Sequence, residues 1–336
     1  MKTGILLVNL GTPDSPSTAD VRKYLHEFLN DPRVIDIAPL ARLLLVNLII
    51  VPFRSSKSAK LYKQIWTKNG SPLLIYSLRQ KEMLQKILGD DYQVELAMRY
   101  QSPSLESTLE KFKKGKIRKI RVLPLFPQYA SASTGSVHQK IMELVSRWEV
   151  IPEIEFVNSY CDDPHFINAF TEIGKRHEPS SYDHVLMSFH GLPERQIKKA
   201  DRCDHCFRKN CCGSLTDENA FCYRAQCFET ARLITAQLNI APENYTVCFQ
   251  SRLGRTPWIR PYTDQVLKER AGHGDKRILV FAPAFTSDCL ETLYEIGTEY
   301  DVLFKKAGGE KVQLVESLND SQLWIEALKE LCLKPL

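Results

Sequence analysis

Short apolar runs alternate along the chain with segments that carry apolar residues at helical spacing. Several runs are nearly continuous in Val, Ile and Leu, which is typical of strands buried on both faces. We predict strands over Gly4–Asn9, Tyr92–Ala97, Lys119–Pro124, Glu153–Asn158, His184–Phe189, Tyr245–Phe249, Arg277–Ala282 and Lys311–Leu314. We predict helices over Thr18–Leu29, Ser104–Phe112, Val137–Trp148, Pro164–Arg176, Tyr223–Leu238, Thr263–Glu269 and Asp320–Leu331. This alternation favours an α/β fold with parallel sheets and right-handed crossovers.

The predicted strands divide into two groups of four, with a break between Trp148 and Cys161 near the middle of the chain. We therefore expect two doubly wound lobes with a cleft between them. The first covers residues 1–150 and is joined by the C-terminal helix, residues 318–336. The second covers residues 151–317. Ligands of such sheets bind beyond the carboxyl ends of the strands, so the loops that follow the strands are the candidate functional segments.

Composition narrows the class of protein. The chain has 336 residues, of which 43% are hydrophobic and 25% charged, and this excludes a disordered chain. Lys and Arg exceed Asp and Glu by only five, and no basic stripe stands out, so nucleic acid is not an expected partner. Because the N-terminal residues lead directly into a strand, we expect no signal peptide and a cytoplasmic location.

One apolar stretch, Leu43–Phe53, stands out from the rest. It has about half of the roughly 20 residues that a membrane-spanning helix needs, and it contains Asn47 and Pro52. We therefore do not expect a membrane span. Two interpretations are left: a buried helix, or an apolar lip over a ligand or against a membrane surface.

Two loops after predicted strands carry residues suited to chemistry. His190 ends one strand and precedes Gly191, which places it to face a cleft as a metal ligand or as a base near neutral pH. Ser131 and Ser133 precede a helix expected to begin near Ser136, whose N-terminus suits an anionic group. Each also has a structural interpretation, as a buried histidine or as ordinary helix capping.

A third loop carries three carboxylates. On a helix beginning near Ser287, the side chains of Asp288, Glu291 and Glu295 would share one face. Clustered carboxylates resist ionising together, so one tends to hold a raised pKa and can pass protons. A solvated acidic helix face is the alternative. The loop after Phe249 adds Trp258, which offers an apolar wall. It also adds Arg252 and Arg255, which are candidate partners for ligand carboxylates.

Ten cysteines are the unusual feature of the composition. Six fall within 25 residues, in the spacing C-x2-C-x4-CC-x9-C-x4-C, and they are Cys203, Cys206, Cys211, Cys212, Cys222 and Cys227. In a reducing compartment such a cluster suggests a metal rather than disulfides. The spacing lacks the two separated C-x2-C pairs of a zinc module, whereas four thiolates can hold a [2Fe–2S] cluster. An iron–sulfur cluster, zinc and no metal remain alternatives.

Taken in order, several segments together resemble the ferrochelatase family. They are VNLGTPDSP, GSPLL, RYQSPS, LPLFPQYASASTGS, SFHGLP, FQSRLGRTPW and PAFTSDCLETLYEI. The match covers nearly the whole chain, and the ordered set is specific although no single piece is. The resemblance implies two Rossmann-like lobes with four-stranded parallel sheets and a porphyrin cleft. It also implies a lyase that inserts Fe²⁺ into protoporphyrin IX, the last step of haem synthesis.

The resemblance also implies roles for particular residues. Metal insertion releases two protons from the pyrrole nitrogens, so the site needs a base, a proton path and a way to bend the ring. His190 would abstract protons, contact the metal, or both, and Glu291 would belong to the metal site. Asp288, Glu291 and Glu295 would form a conduit for protons or metal. Porphyrin contacts would come from Leu10, Arg54, Tyr62, Phe126, Ser131, Ser133 and Trp258.

The cysteine-rich segment, residues 203–227, lies where some bacterial ferrochelatases carry a [2Fe–2S] cluster in an internal insert. The resemblance therefore favours that cluster, with a structural or sensory role. Six cysteines exceed the four ligands needed, and Cys203 keeps a C-x2-C-x4-C arrangement open. We favour as ligands Cys206, one of Cys211 or Cys212, Cys222 and Cys227.

Departures from the family pattern refine the expected substrate. Leu10 stands where relatives that act on coproporphyrin carry Tyr, which favours protoporphyrin. Ala132 stands where animal members carry a cluster cysteine, so any cluster here is built differently. The stretch Leu43–Phe53 falls at the apolar lip of the family, so peripheral contact with the inner membrane is expected. The alternatives are a chelatase for another tetrapyrrole or metal, such as coproporphyrin or cobalt, and a non-catalytic iron–sulfur or haem-binding sensor.

Overall fold

The computed structural model describes residues 2–208, 210–254 and 256–335, and Arg255 lies outside them. All eight predicted strands are present within these residues. They are β1 (Thr3–Gly11), β2 (Tyr92–Tyr100), β3 (Lys119–Pro124), β4 (Glu153–Phe156), β5 (His184–His190), β6 (Tyr245–Gln250), β7 (Arg277–Phe281) and β8 (Lys311–Leu314). The described strands form two parallel sheets, in the orders β2–β1–β3–β4 and β6–β5–β7–β8. The predicted α/β fold is confirmed.

The seven predicted helices are present, together with others that the periodicity did not single out. The α-helices in the described residues are α1 (Thr18–Asn30), α2 (Pro39–Leu44), α3 (Val51–Ile65), α4 (Pro72–Leu88), α5 (Leu105–Lys114), α6 (Ser136–Val145), α7 (Pro164–Lys175), α8 (Glu194–Ala200), α9 (Tyr223–Gln237), α10 (Thr263–Gly272), α11 (Asp301–Lys306) and α12 (Gln322–Leu333). Three further segments are π-helical: Leu45–Ile50, Ser131–Gly135 and Glu291–Tyr300. Apolar spacing alone does not indicate these wider turns.

The chain forms two compact units. The first runs to Phe126, resumes over Ala130–Asn158 and includes the residues from Leu328 onward. The second comprises Pro127–Tyr129 and Ser159–Ala327. Each unit contains one of the two sheets, with an apolar core where the sheet meets its helices.

The end of the chain is tied to the first unit by a buried arginine. Arg121 of β3 donates from Nη1 to the carbonyl oxygens of Cys332, at 2.7 Å, and Lys334, at 2.6 Å. Its other guanidinium nitrogens bind the Glu155 carboxylate of β4. A buried guanidinium needs such partners, because losing them would leave an uncompensated charge in the core.

Strand β1 ends at a position, Gly11, where only glycine fits. Gly11 has a φ of +119°, and an added Cβ would lie 2.1 Å from the carbonyl oxygen of Tyr100. We expect Gly11→Ala to lower the free energy of unfolding by more than about 3 kcal/mol, because steric overlap adds to the backbone strain. Gly308→Ala is the matched control, since Gly308 has a φ of +106° and open space around the Cβ position. Denaturant titration of both variants measures the difference, and equal losses would contradict the steric account.

Residues Pro39–Ile65 form one continuous helix, which is π-helical over Leu45–Ile50. In the described part of the chain it alone is long and apolar enough to cross a membrane, judged by length and composition only. Leu48 is 65% exposed and Phe53 is 80% exposed. The interpretation of Leu43–Phe53 as a buried helix is therefore wrong, because most of its apolar side chains face outward and only Val46 and Val51 are buried.

Candidate active site

His190 is the last residue of β5 and stands half-buried at the carboxyl end of the second sheet. Its Nδ1 lies 2.7 Å from the carbonyl oxygen of Gly191. Because a carbonyl oxygen can only accept, the neutral ring carries its proton on Nδ1 and its lone pair on Nε2. Nε2 is therefore the atom that can take up a proton or bind a metal.

Trp258 lies against the backbone beside His190. A Cβ at Gly191 would be 3.2 Å from the indole Cε3 of Trp258 and 2.7 Å from the carbonyl oxygen of Gln250. The indole Nε1 donates to the carbonyl oxygen of Leu253 at 2.8 Å, which fixes the ring. A flat apolar surface is thus held against the backbone that follows His190, and it depends on glycine at position 191.

The acidic segment differs from its prediction. The helix begins at Glu291 rather than near Ser287, and its first ten residues are π-helical. Asp288 precedes the helix, and its carboxylate accepts from the Asn319 amide at 2.7 Å and from the Thr292 hydroxyl at 2.9 Å. The expectation that three carboxylates share one helix face is therefore wrong. Asp288 is held by a neighbouring loop, and the helix itself carries Glu291 and Glu295.

Glu295 is surrounded by hydrogen-bond donors. Its carboxylate accepts from the backbone N–H of Ser251 at 2.9 Å, from the Ser251 hydroxyl, and from the Tyr300 hydroxyl at 2.8 Å. Burial raises the pKa of the Glu295 carboxyl, whereas the bonds from Ser251 and Tyr300 lower it, and burial prevails. A carboxyl of this kind can hold and release a proton closer to neutral pH than an exposed glutamate can.

Gln250 connects His190 to the acidic helix. It pairs with His190 in the β5–β6 ladder, and its Oε1 accepts from the buried Ser188 hydroxyl at 2.8 Å. Its Nε2 donates to the Glu291 carbonyl oxygen at 3.2 Å and to the Glu295 carboxylate at 3.3 Å. One amide side chain thus sets the position of the helix relative to the strand that ends at His190.

Sequence reasoning did not single out Gln250, Ser251 or Tyr300. Gln250 and Ser251 belong to the FQSRLGRTPW segment, so the resemblance pointed to the loop but not to these contacts. Ser251 adopts a φ of +64°, and its N–H donates to Glu295 in that conformation. Left-handed backbone at a residue other than glycine has no clear sequence signal.

The first unit contains the other predicted porphyrin contacts. Leu10 is half-buried near the end of β1, and Phe126 packs against the core of this unit. The Ser131 hydroxyl accepts from the Arg33 guanidinium at 2.8 Å, and Ser133 is half-buried in the same π-helical turn. Leu10 lies at the carboxyl end of β1, and the other three residues follow that of β3, its neighbour in the sheet.

Arg54 and Tyr62 differ in exposure although both lie on α3. The Arg54 side chain is exposed. Tyr62 is only 8% exposed, and its ring packs edge-on against Tyr24 and Trp66, each at a centroid distance of 6.3 Å. Arg54 is therefore accessible to a charged ligand group, whereas the Tyr62 ring belongs to an aromatic cluster.

The six clustered cysteines have different environments. The sulfurs of Cys206 and Cys222 are 3.6 Å apart, and those of Cys211 and Cys212 are 3.7 Å apart. Burial raises the pKa of the Cys206 thiol to about 11. No three His, Cys, Asp or Glu side chains are grouped as ligands of one metal ion within residues 2–208, 210–254 and 256–335. The remaining two of the six are an exposed and a buried residue, Cys203 and Cys227.

Two thiolates bound tetrahedrally to one metal at roughly 2.3 Å lie about 3.8 Å apart. The separations within both thiol pairs are close to this value. A [2Fe–2S] cluster takes four thiolates, two on each iron. In chemistry and in the spacing within each pair, these thiols fit such a cluster.

Comparison with known proteins identifies the family. The ferrochelatase family model matches residues 2–336. A ferrochelatase from Coxiella burnetii (strain CbuK_Q154) is 45% identical over 337 residues, which cover 100% of this chain and 94% of that protein. A ferrochelatase from Legionella pneumophila (strain Lens) is 44% identical over 331 residues, 98% of each chain.

Solved chelatase structures share the fold. SirB from Bacillus subtilis with Fe³⁺ superposes with a TM-score of 0.54 at 15% identity, over 98% of this chain and 95% of that one. The cobalt complex of the sirohydrochlorin chelatase SirB from Bacillus subtilis subspecies spizizenii gives a TM-score of 0.53 at 15% identity, over 97% and 92%. At this identity the likeness shows the fold alone. The full-length family match and the identity to the two ferrochelatases show more: the chain belongs to the ferrochelatase family.

Proposed function

We propose that His190 and Glu291 form the reaction centre at which this lyase inserts Fe²⁺ into protoporphyrin IX, giving protohaem and two protons. One observation carries this assignment. The bond from His190 Nδ1 to the Gly191 carbonyl leaves the Nε2 lone pair at the carboxyl end of a buried strand, where ligands of such sheets bind. A neutral imidazole at such a position can abstract a pyrrole proton.

The carboxylates complete the chemistry. Glu291 opens the helix that follows β7, and its main chain is held by Gln250. Imidazole and carboxylate together suit the transient binding of Fe²⁺. Glu295, whose pKa is raised by burial, is suited to receive the protons that leave the ring. Asp288 has its carboxylate bound to Asn319 and Thr292, so we assign it to supporting the start of this helix.

We extend the proposal to the porphyrin contacts. Trp258 is held beside the His190 backbone and offers an apolar face to a planar ligand. Arg54 is exposed and can pair with a propionate. The remaining contacts in the proposal keep their assignment from the family pattern, and they are Leu10, Phe126, Ser131 and Ser133. Tyr62 is left out, because its ring is buried in the cluster with Tyr24 and Trp66.

The substrate is tested by comparing the rates of separate reactions. Purified protein is supplied anaerobically with Fe²⁺ and either protoporphyrin IX or coproporphyrin III, and with Co²⁺ in a third reaction. We expect protohaem to form fastest, because Leu10 lacks the hydroxyl found in relatives that act on coproporphyrin. Faster metallation of coproporphyrin would overturn the choice of substrate. Porphyrin binding without any metallation would favour a sensor instead.

We propose further that the segment 203–227 binds a [2Fe–2S] cluster. The sulfur separations of 3.6 and 3.7 Å support Cys206, Cys211, Cys212 and Cys222 as ligands. Unlike the set favoured from the sequence, this one includes both Cys211 and Cys212, and it omits Cys227, which is fully buried on α9. When bound, the cluster would hold this segment together, and the pyrrole chemistry needs no redox centre.

Single cysteine variants distinguish the ligand sets. We expect Cys206→Ser to lose the iron and the brown colour of the wild type, because a serine hydroxyl is a poor ligand for these irons. Cys203→Ser is the matched control, since Cys203 is exposed, and it should keep both. Iron and sulfide analysis with visible absorption measures the outcome. A colourless wild type that contains zinc would contradict the cluster, and loss of the cluster in Cys227→Ser would contradict the ligand set.

We also propose that this protein works in the cytoplasm and contacts the inner membrane through the Pro39–Ile65 helix. Six apolar side chains on this helix are between 49% and 80% exposed, and they are Leu40, Leu43, Leu44, Leu48, Ile49 and Phe53. Arg22 and Lys23 of α1 line a cavity of about 610 Å³ beside it. An apolar face next to basic side chains suits a surface of anionic lipid.

Two variants test the membrane contact. We expect Leu48→Glu and Phe53→Glu each to lower binding to vesicles of anionic phospholipid about tenfold. Each change replaces an apolar side chain that the lipid would bury with one that has the same sign of charge as the lipid. Val302→Glu is the control, since Val302 is 45% exposed but lies far along the chain on α11. Co-flotation with vesicles is the measurement. Equal flotation of all three variants and the wild type would refute the contact.

A further inference from the structure

Tyr223 joins the cysteine-rich segment to His190. It is the first residue of α9, and its hydroxyl donates to the main-chain carbonyl oxygen of His190 at 2.9 Å. The side chain is only 7% exposed, and because a carbonyl oxygen only accepts, the phenol O–H is the donor in this bond.

The hydrogen bond from Tyr223 reaches β5 at its carboxyl end, where the strand is paired on one side only. The β5–β7 ladder ends at the pair Met187 and Phe281, whereas the β5–β6 ladder continues to His190. On one side, then, the last residues of β5 extend beyond their neighbour strand. A buried hydroxyl at this point supplies an anchor for His190 that the ladder does not.

The orientation of the imidazole depends on this same stretch of backbone. His190 Nδ1 bonds to the Gly191 carbonyl, and the Gly191 N–H donates to the Gln250 carbonyl at 2.8 Å. The ring is therefore fixed to its own main chain, so a shift of that main chain moves Nε2 with it. Misplacing a reacting atom by about 1 Å can cost roughly 100-fold in rate.

The other end of the connection is the thiol pair Cys206 and Cys222. Cys222 directly precedes Tyr223, and its N–H donates to the Asn219 carbonyl at 2.8 Å. The N–H of Cys206 donates to the Asp201 carboxylate at 2.7 Å. With the sulfurs 3.6 Å apart, the pair holds the start of α9 against the loop that follows α8.

We propose that Tyr223 is a positioning residue for His190, and that the Cys206–Cys222 pair sets the place of its hydroxyl by fixing the start of α9. This inference rests on the proposed role of His190. It gives the cysteine-rich segment a task in the reaction that needs no electron transfer. Binding of a metal by this thiol pair, or loss of that metal, would then change the rate of metal insertion through the hydrogen bond from Tyr223 to His190.

The test begins with Tyr223→Phe, which keeps the ring and removes the hydroxyl. We expect kcat for haem formation to fall about tenfold with KM for protoporphyrin unchanged. In ¹⁵N-histidine spectra, the ring signals of His190, assigned by their absence in His190→Ala, should shift while those of the other seven histidines stay. Tyr160→Phe is the matched control, a buried tyrosine of the same unit that packs on Phe166 and Trp324. An unmoved His190 signal would overturn the proposal even if kcat fell.

A double-mutant cycle tests the link to the cysteines. Cys222→Ser should lower kcat and shift the same His190 signals, and adding Tyr223→Phe should lower kcat by less than a further twofold, because both act through one contact. Independent, fully multiplicative effects would overturn the link. If His190→Ala proved active, the proposed role of His190 would fail, but the His190 signals would still report whether Tyr223 and Cys222 position the ring.

Discussion

Replacing His190 with alanine is expected to lower the rate of haem formation by about 1,000-fold while leaving protoporphyrin binding and the melting temperature unchanged. The imidazole is half-buried at the end of β5 and lies edge-on to Phe285 at a centroid distance of 6.4 Å, so its loss should remove more chemistry than packing. What is lost is the Nε2 lone pair, which the Nδ1 bond to Gly191 holds in place. Initial rates under anaerobic conditions measure the effect.

The matched control for this variant is His273→Ala. His273 is exposed at the end of α10, just before the amino end of β7, whereas His190 lies at the carboxyl end of the parallel strand β5. Its variant should retain the wild-type rate, which shows that a histidine-to-alanine change is harmless in itself. Porphyrin fluorescence quenching checks that both variants still bind the ring. If His190→Ala kept more than about a tenth of the wild-type rate, this residue could not be the base.

Glu291→Gln is expected to lower kcat about 100-fold, with porphyrin binding retained. The change keeps the shape of the side chain and removes the charge that favours Fe²⁺ beside a neutral imidazole. The Glu291 main chain is held by Gln250, so the helix should stay in place. The loss should therefore lie in kcat and in the apparent KM for Fe²⁺, rather than in the KM for protoporphyrin.

Glu299→Gln provides the control for the loss of a charge from the same helix. Glu299 lies in the same π-helical segment but is exposed. We expect it to behave as the wild type in both kcat and KM for Fe²⁺. Equal effects of the two variants would show that the acidic helix acts only through its overall charge, and Glu291 would lose its place at the metal site.

Much of the fold follows from local patterns. Eight apolar runs predict the eight strands because parallel strands covered on both faces need nearly continuous apolar sequence. Their order in the sheets comes from the crossover rule and could be expected only in outline. His190 could be chosen as a candidate because ligands of such sheets bind at the carboxyl ends of the strands, although its residue type alone also allowed a structural histidine.

The acidic segment shows where such reasoning fails. The spacing of Asp288, Glu291 and Glu295 fits an α-helical face, but the segment Glu291–Tyr300 is π-helical, and the periodicity of side chains cannot reveal wider turns. Asp288 is captured by Asn319, which is distant in sequence. Contacts of this kind depend on tertiary structure and leave no trace in local spacing.

The contacts around Glu295 could not be predicted for a related reason. Ser251 reaches Glu295 from a left-handed backbone conformation that short polar residues adopt only when their surroundings impose it. Tyr62 illustrates the opposite case, because the family pattern assigns it to the porphyrin while its ring is packed against Tyr24 and Trp66. Residue identity suggests a role, and burial decides whether the side chain is accessible.

A single-turnover experiment tests the central claim most directly. The protein is loaded with one equivalent of protoporphyrin IX without oxygen and mixed rapidly with Fe²⁺, and the spectrum of the free-base ring is followed to that of haem. The account predicts full conversion by the wild type and an unmetallated, still-bound porphyrin in His190→Ala. Bound porphyrin that stays free of iron in the wild type, or conversion at equal rates in both proteins, would contradict it.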